Sequence, residues 1–166
     1  MVEIEEVDMD TYESLNEKAI LFAKEAHKGQ KRKYTDEDYI IHPLSVADKC
    51  TSYTAKTVAV LHDTVEDTQI TLTDIRKEFG DLIAEYVWWL TDETEGNRET
   101  RKLVQRVKLA KAPQLVRSVK KFDLIDNAKS IHKYDPDFWK VFKREARDLL
   151  KEIGAYYDKD VPDYLK

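Results

Sequence analysis

The feature that most constrains the fold of this chain is the steady recurrence of apolar residues at helical spacing. No stretch alternates apolar and polar residues with a period of two for long enough to need a β-sheet. The sequence also contains only 4 Gly and 4 Pro, too few for a turn-rich β sandwich. We therefore predict an all-α helical bundle of about seven or eight helices.

Chain length limits the number of domains. With 166 residues the chain can build one domain with its own hydrophobic core, but not two of ordinary size. We expect residues 1–166 to form a single domain, with the acidic residues 1–9 loosely ordered. The sequence does not indicate an oligomeric state.

Composition excludes several classes of function. A formal net charge of -5 argues against general nucleic-acid binding, which requires a broad basic face. No run approaches the roughly 20 apolar residues of a membrane span, and the acidic N-terminus is unlike a signal peptide, so we predict a cytoplasmic location without membrane association. The single cysteine, Cys50, excludes an internal disulfide and a cysteine-rich zinc site.

The most unusual segment, residues 61–68, reads Leu-His-Asp-Thr-Val-Glu-Asp-Thr. In a continuous helix from about residue 55 to 65 and beyond, its polar members His62, Asp63, Glu66 and Asp67 would occupy one arc. Carboxylates that crowd a partly buried site repel one another, and a divalent cation is the usual remedy. From this segment alone, a metal site and a solvated acidic helix end are equally good interpretations.

Other polar residues could complete such a site. His42 precedes Pro43 at a predicted helix start, where a cap or a buried core histidine is the alternative interpretation. Asp123 and Asn127 are separated by one helical turn within an apolar helix and share a face, whereas we expect Asp126 to turn away. Asp123 is therefore a candidate ligand for the same cation, and Asn127 a candidate contact to substrate.

Together these residues favour catalytic metal chemistry. Two imidazoles and two carboxylates suit Mn²⁺, Fe²⁺, Zn²⁺ or Co²⁺, and the absence of thiolate ligands is typical of a catalytic site. If His42, His62, Asp63 and Asp123 held the ion, Glu66 and Asp67 would be free to orient water and move protons. A basic run at residues 28–33, otherwise an ordinary solvated loop, would then neutralise a phosphate-rich substrate.

Four ordered sequence blocks resemble a known family. They are residues 26–33, 39–44, 61–68 and 119–123 together with Asn127. The chain is similar to the HD-domain metal-dependent phosphohydrolases, and more narrowly to the (p)ppGpp hydrolase domain of RelA/SpoT proteins and their small stand-alone relatives. The resemblance extends from about residue 15 to 155, and it implies one HD-type domain acting on a small-molecule nucleotide.

The resemblance implies specific roles for these residues. A metal, typically Mn²⁺, would lie on His42, His62, Asp63 and Asp123. Glu66 and Asp67 match the acidic pair that activates water. The substrate-binding positions would be Arg32, which packs against the guanine base, with Lys33, Asn127 and Ser130. The implied reaction is hydrolysis of the 3′-pyrophosphate of ppGpp or pppGpp to GDP or GTP and pyrophosphate. Because the sequence ends without a synthetase domain, a hydrolase-only role is expected.

The chain also departs from the family pattern. Residues 32–39 form a loop one residue longer than the usual one and lack its Gly and Pro, while Phe122 and Leu124 replace the usual neighbours of the distant aspartate. These departures leave two alternatives. The substrate could be another nucleotide, such as an adenine alarmone, NADPH or a nucleoside phosphate. The chain could also be a non-catalytic nucleotide-binding module, although Glu66 and Asp67 are both present.

Overall fold

A computed structural model describes residues 9–166 of the chain, and these residues are mainly helical. The α-helices are α1 (Met9–Ala26), α2 (Ile41–Asp48), α3 (Tyr53–Leu61), α4 (Thr64–Asp67), α5 (Leu72–Phe79), α6 (Asp81–Leu90), α7 (Arg98–Ala110), α8 (Gln114–Tyr134) and α9 (Pro136–Glu152). A 3-10 turn follows at Asp163–Leu165. Within residues 9–166 the only extended pairing is one bridge between Lys31 and Asp38. The prediction of an all-α bundle is therefore confirmed.

Helix α3 is the centre of the bundle. It packs against α1, α2, α6 and α8. Six of its nine residues are buried: Ala55, Thr57, Val58, Ala59, Val60 and Leu61. A helix that is apolar on nearly all sides requires neighbours on all sides, which explains its central place. The polar residues that follow it are therefore held at the end of a helix that is packed on nearly all sides.

The helix predicted over residues 55–65 is in fact divided into two. Helix α3 ends at Leu61, and the single-turn helix α4 begins at Thr64. The His62 side chain donates to the Ala59 carbonyl through Nδ1, at 2.6 Å, and the Thr64 hydroxyl donates to the Leu61 carbonyl at 2.7 Å. These side chains cap the carbonyls at the end of α3 and redirect the chain. The prediction of one continuous helix was wrong, and the extra turn raises the number of α-helices within residues 9–166 to nine.

Local signals define several of the other helix ends. Thr71 and Asp74 form a capping box at the start of α5, with each side chain bonded to the other residue's backbone N–H. Gly80, at a φ of 85°, ends that helix in a conformation that favours glycine. Asp135 caps α9, and Pro136 occupies its first turn.

Residues 1–8, most of the segment predicted to be loosely ordered, lie outside the part of the chain that the structure describes. Met9, the last residue of that predicted segment, is instead the first residue of α1. Within residues 9–166 each helix is too short or too polar to cross a membrane.

Candidate active site

Four side chains predicted to bind a metal converge on one point. His42 comes from α2, His62 and Asp63 from the turn between α3 and α4, and Asp123 from the middle of α8. Asp123 Oδ1 lies 3.1 Å from His42 Nε2 and 3.6 Å from His62 Nε2. Asp63 Oδ2 lies 3.0 Å from His62 Nε2 and 3.5 Å from His42 Nε2. The two imidazoles and two carboxylates thus face one another, although 81 positions separate His42 from Asp123.

The hydrogen bonds of the two imidazoles fit a metal site. His62 Nδ1 donates to the Ala59 carbonyl, which can only accept, so the neutral ring carries its lone pair on Nε2. That Nε2 atom is buried and lacks a hydrogen-bond partner among residues 9–166. Donor atoms of His42, His62 and Asp63 all lie within 4.8 Å of one another. A cation among them would satisfy the buried nitrogen that the protein leaves unpaired.

Electrostatics favour positive charge at the same point. Burial by itself would lower the pKa of His62, but the charges of Asp63 and Asp123 outweigh it and raise that pKa well above its ordinary value. Burial would raise the pKa of Asp123, but the neighbouring Lys120 and the two imidazoles hold it well below its usual range. The carboxylates are therefore ionised, and they stabilise a proton or a cation between the rings.

Glu66 and Asp67 lie beside this cluster, on α4. With Asp63 they form one side of a cavity of about 280 Å³, which we call the central chamber. Glu66 Oε1 accepts a hydrogen bond from the backbone N–H of Asp92. The concave surroundings limit hydration of both carboxylates and, with the charge of Asp63, raise the pKa of Glu66 and of Asp67. A carboxylate with a raised pKa is a stronger base.

Three basic residues of α7, Arg98, Arg101 and Lys102, also line the central chamber, and we call them its basic side. Lys120 from α8 lines the chamber as well and lies beside Asp123. The sequence analysis did not assign the three α7 residues, which lie in the first turns of that helix, to the site. The signal was available: positions 98, 101 and 102 have the i, i+3, i+4 spacing of one helix face.

A second cavity, of about 230 Å³, opens beside the chamber and shares Tyr39 and Asn127 with it. We call it the side pocket. Its other lining residues include all three remaining predicted substrate contacts, Arg32, Lys33 and Ser130, with Tyr34, Ile131 and Phe138. Arg32 Nη2 donates to Ser130 Oγ at 3.1 Å. Lys33 Nζ lies 4.9 Å from the centre of the Tyr34 ring.

The prediction that Asp126 turns away from the site was wrong. Its Oδ2 accepts from His42 Nδ1 at 2.6 Å and from Arg32 Nη1 at 3.3 Å, and its Oδ1 accepts from Ser45 Oγ at 2.7 Å. An i, i+3 pair on a helix also shares a face, so Asp126 follows Asp123 into the site. Asn127 does so as well, as predicted, and donates to Asp123 Oδ1 at 2.7 Å.

Tyr39 is a further residue that sequence reasoning did not assign to the site. Its hydroxyl donates to Asp63 Oδ2 at 2.6 Å, and its side chain lines both cavities.

A third and larger cavity, of about 580 Å³, continues from the central chamber between α7, α8 and α9. Arg98 borders it and forms a two-bond ion pair with Glu145 of α9, at 2.8 and 2.6 Å.

Comparison with known proteins adds an independent line of evidence. Residues 19–122 match the HD domain family. The chain is 36% identical over 152 residues to the guanosine-3′,5′-bis(diphosphate) 3′-pyrophosphohydrolase of Aquifex aeolicus, a match that covers 85% of this chain and 20% of that protein. It is 34% identical over 125 residues to the guanosine-3′,5′-bis(diphosphate) 3′-pyrophosphohydrolase MESH1 of Xenopus tropicalis, covering 71% of this chain and 70% of the relative.

Solved structures agree on the fold. A metazoan ortholog of SpoT, described as hydrolysing ppGpp, superposes with a TM-score of 0.77 at 22% identity, covering 92% of this chain and 89% of the other. A Listeria monocytogenes protein, lmo0812, superposes with a TM-score of 0.62 at 24% identity, covering 79% and 92%. The chain spans about a fifth of the Aquifex relative and more than two thirds of the Xenopus one.

Proposed function

Because this chain belongs to the HD domain family, we propose that it is a metal-dependent hydrolase of ppGpp and pppGpp that releases pyrophosphate from the ribose 3′ position. The observation that carries the proposal is the convergence of His42, His62, Asp63 and Asp123 beside a chamber that basic residues also line. The names of the Aquifex and Xenopus relatives identify the substrate that such a site takes in them.

The metal that we propose is Mn²⁺, held by His42, His62, Asp63 and Asp123. Mixed nitrogen and oxygen donors suit Mn²⁺ better than Mg²⁺ or Ca²⁺, although Fe²⁺, Co²⁺ and Zn²⁺ also accept such a set. When bound, a cation of this kind acts as a Lewis acid that polarises a phosphoryl oxygen and makes water more acidic.

Glu66 and Asp67 are the residues that we assign to proton transfer. Both face the central chamber, and both have raised pKa values, which suits a carboxylate that must accept a proton. In the proposed reaction a water oxygen bonds to the phosphorus next to the ribose 3′ oxygen. The bond from that phosphorus to the ribose oxygen breaks, and the ribose oxygen leaves and acquires a proton. The products are pyrophosphate and GDP or GTP.

The cationic side chains account for substrate binding. Arg98, Arg101, Lys102 and Lys120 line the same chamber as the acidic residues, where they would neutralise the diphosphate. The side pocket would hold the nucleoside, with Arg32 and Lys33 against the base and Asn127 and Ser130 near the ribose and phosphates. This division separates the reacting group from the recognition group.

The direct test is pyrophosphate release from ppGpp by the purified protein with Mn²⁺. We expect turnover with the wild type and none above background with His62→Ala or Asp67→Asn, each compared at the same level of folded protein. The same assay with Fe²⁺, Co²⁺, Zn²⁺ and Mg²⁺ identifies the preferred metal. Intact ppGpp after long incubation with every metal would reject the proposal.

A second candidate keeps the chemistry but changes the nucleotide. The guanine edge offers N–H donors that require acceptors, yet among the described residues that line the side pocket there is no carboxylate. A panel that compares ppGpp with an adenine alarmone, NADPH and nucleoside phosphates decides between the candidates by the ratio of kcat/KM values. Tight binding of nucleotide and metal without turnover would instead indicate a non-catalytic binding module.

We also propose that residues 1–166 act as one HD-type domain in the cytoplasm. One continuous cluster of buried side chains, from Ala19 in α1 to Leu165 in the last turn, supports the assignment of one domain. Limited proteolysis that yields two stable fragments would contradict it.

A further inference from the structure

We propose that Asp126 is a positioning residue for the metal centre. It fixes the His42 ring and links that ring to Arg32, a proposed substrate-binding residue. The inference rests on the proposed function only in assuming that His42 binds a metal. It assigns a role to a side chain that neither chelates the ion nor touches the reacting atoms. The evidence is the set of contacts that Asp126 makes on α8.

Asp126 accepts hydrogen bonds from three side chains that are remote in sequence, Arg32 and, on α2, His42 and Ser45. Its Oδ2 accepts from His42 Nδ1 at 2.6 Å and from Arg32 Nη1 at 3.3 Å, and its Oδ1 accepts from Ser45 Oγ at 2.7 Å. The Asp126 side chain is only 13% exposed. A largely buried carboxylate is stable only with such partners, and here the partners also fix its orientation.

The bond from His42 decides which ring nitrogen can bind a metal. An ionised carboxylate can only accept hydrogen bonds, so His42 Nδ1 must carry a proton. The other nitrogen, Nε2, then presents its lone pair to Asp123, Asp63 and the candidate ion. Partners of this kind fix the tautomer and the ring orientation of a metal-binding histidine and increase its basicity.

The two candidate imidazole ligands are therefore positioned by different means. His62 Nδ1 donates to the backbone carbonyl of Ala59, within its own helical turn, and no side-chain substitution can remove that acceptor. His42 Nδ1 depends on a side chain 84 positions away. The orientation of the His62 ring is thus fixed by the backbone, whereas a single substitution can change the orientation of the His42 ring.

The shared oxygen also joins the metal centre to the side pocket. Arg32 and His42 both donate to Asp126 Oδ2, so displacement of the carboxylate moves both groups. Arg32 is held on its other side by Ser130 Oγ at 3.1 Å. Loss of Asp126 is therefore expected to weaken metal binding and nucleotide binding together. Loss of Ser130 is expected to weaken nucleotide binding alone.

The test measures Mn²⁺ affinity by isothermal titration of the metal-free full chain, without nucleotide. We expect Asp126→Ala to weaken Mn²⁺ binding by about 100-fold and Asp126→Asn, which keeps an acceptor but loses the charge, by about 10-fold. The matched control Ser130→Ala removes the other partner of Arg32 and is expected to keep the wild-type Mn²⁺ affinity. The KM for ppGpp, measured at saturating Mn²⁺, should rise in Asp126→Ala.

A second readout separates positioning from a general structural role. The ¹⁵N shifts of the His42 ring report which nitrogen is protonated, and in Asp126→Ala they should show mixed tautomers while His62 keeps its own. If Asp126→Ala does not fold, the more conservative Asp126→Asn carries the test.

Wild-type Mn²⁺ affinity and an unchanged His42 tautomer in the folded Asp126 variants would overturn the inference. A wild-type protein that binds Mn²⁺ but does not hydrolyse ppGpp would reject the proposed substrate and leave this measurement valid. Failure of the wild type to bind any divalent ion would reject both.

Discussion

The two sides of the central chamber differ in how the fold supports them. The acidic side, formed by Asp63, Glu66 and Asp67, adjoins the metal cluster, which is supplied by α2, α8 and the turn after the fully packed α3. The basic side comes from α7, an amphipathic helix whose buried residues are Gln105 and Leu109. Arg101, in its first turn, is exposed.

This difference indicates that the two sides have different functions. Buried ligands with fixed hydrogen bonds give the precise geometry that metal chemistry requires. Exposed cations on a lightly packed helix can adjust to a flexible, highly charged diphosphate, since charge attraction needs less exact geometry. We therefore expect substitutions on the acidic side to abolish chemistry and substitutions of the α7 cations to weaken binding.

The largest expected effect is the loss of a predicted metal ligand. Asp123→Ala removes a carboxylate that faces both imidazoles and accepts a hydrogen bond from Asn127. Lewis-acid stabilisation is worth several kcal/mol, so kcat should fall by at least about 10³-fold, with Mn²⁺ affinity falling in parallel. Pyrophosphate release and Mn²⁺ titration measure the two effects. Normal turnover in this variant would contradict the claim that the chemistry depends on the metal cluster and the acidic side.

Two adjacent lysines provide a matched comparison. Lys120 Nζ donates to Asp123 Oδ2 at 2.7 Å and faces the chamber, whereas Lys121 Nζ donates to Asp158 and Asp160 in the C-terminal segment, at 3.0 and 3.1 Å. Lys120→Met should lower kcat by about 100-fold, because a charged donor next to the reacting group is lost. Lys121→Met should keep kcat and lose about 1 kcal/mol of stability, because its partners are partly exposed.

These lysine variants are compared by steady-state kinetics and by urea unfolding. Equal losses of kcat in both would mean that Lys120 acts through the packing of α8 rather than through its position in the chamber.

Smaller effects are expected from two cations of α7. Arg101→Ala and Lys102→Ala should each raise KM by about 10-fold, equivalent to about 1.4 kcal/mol for a charge-assisted hydrogen bond, with kcat nearly unchanged. Higher salt should reduce the difference from wild type. Lys111→Ala, at the far end of the helix, is the matched control and should keep the wild-type KM. A fall in kcat without a change in KM would contradict the binding role.

The smallest effect compares two helix caps. The Asn97 side chain caps α7 beside the chamber, and the Thr71 side chain caps α5. Asn97→Ala and Thr71→Ala should each cost about 1 kcal/mol of unfolding free energy. Only Asn97→Ala should also raise KM, because loosening α7 displaces Arg98 and Arg101. Thermal melts and kinetics of both variants check this, and equal KM values would show that α7 does not need a fixed start.

The sequence was sufficient for those features that depend on local pattern. Apolar spacing predicted the helices, the Thr71–Asp74 capping box was visible in the sequence, and the four predicted ligands do meet. The break between α3 and α4 was missed because apolar spacing continues through it, and neither Gly nor Pro marks the turn. The side chains of His62 and Thr64 create that turn through bonds that a periodicity does not reveal.

The remaining features depend on long-range contacts. The partners of Asp126 lie 81 to 94 positions away, so its role could not follow from the helix that carries it. Its position three residues after Asp123 was nevertheless sufficient to place it on the site face. The basic side was missed for a similar reason, because only the packing of α7 shows that the charges at 98, 101 and 102 line the same chamber as the acidic residues.

The most direct test of the account is an anomalous difference map from crystals grown with Mn²⁺. We predict one peak, within coordination distance of Nε2 of both His42 and His62 and of carboxylate oxygens of Asp63 and Asp123. A well-ordered protein without a peak at that point, or with the only peak bound by other residues, would contradict the account.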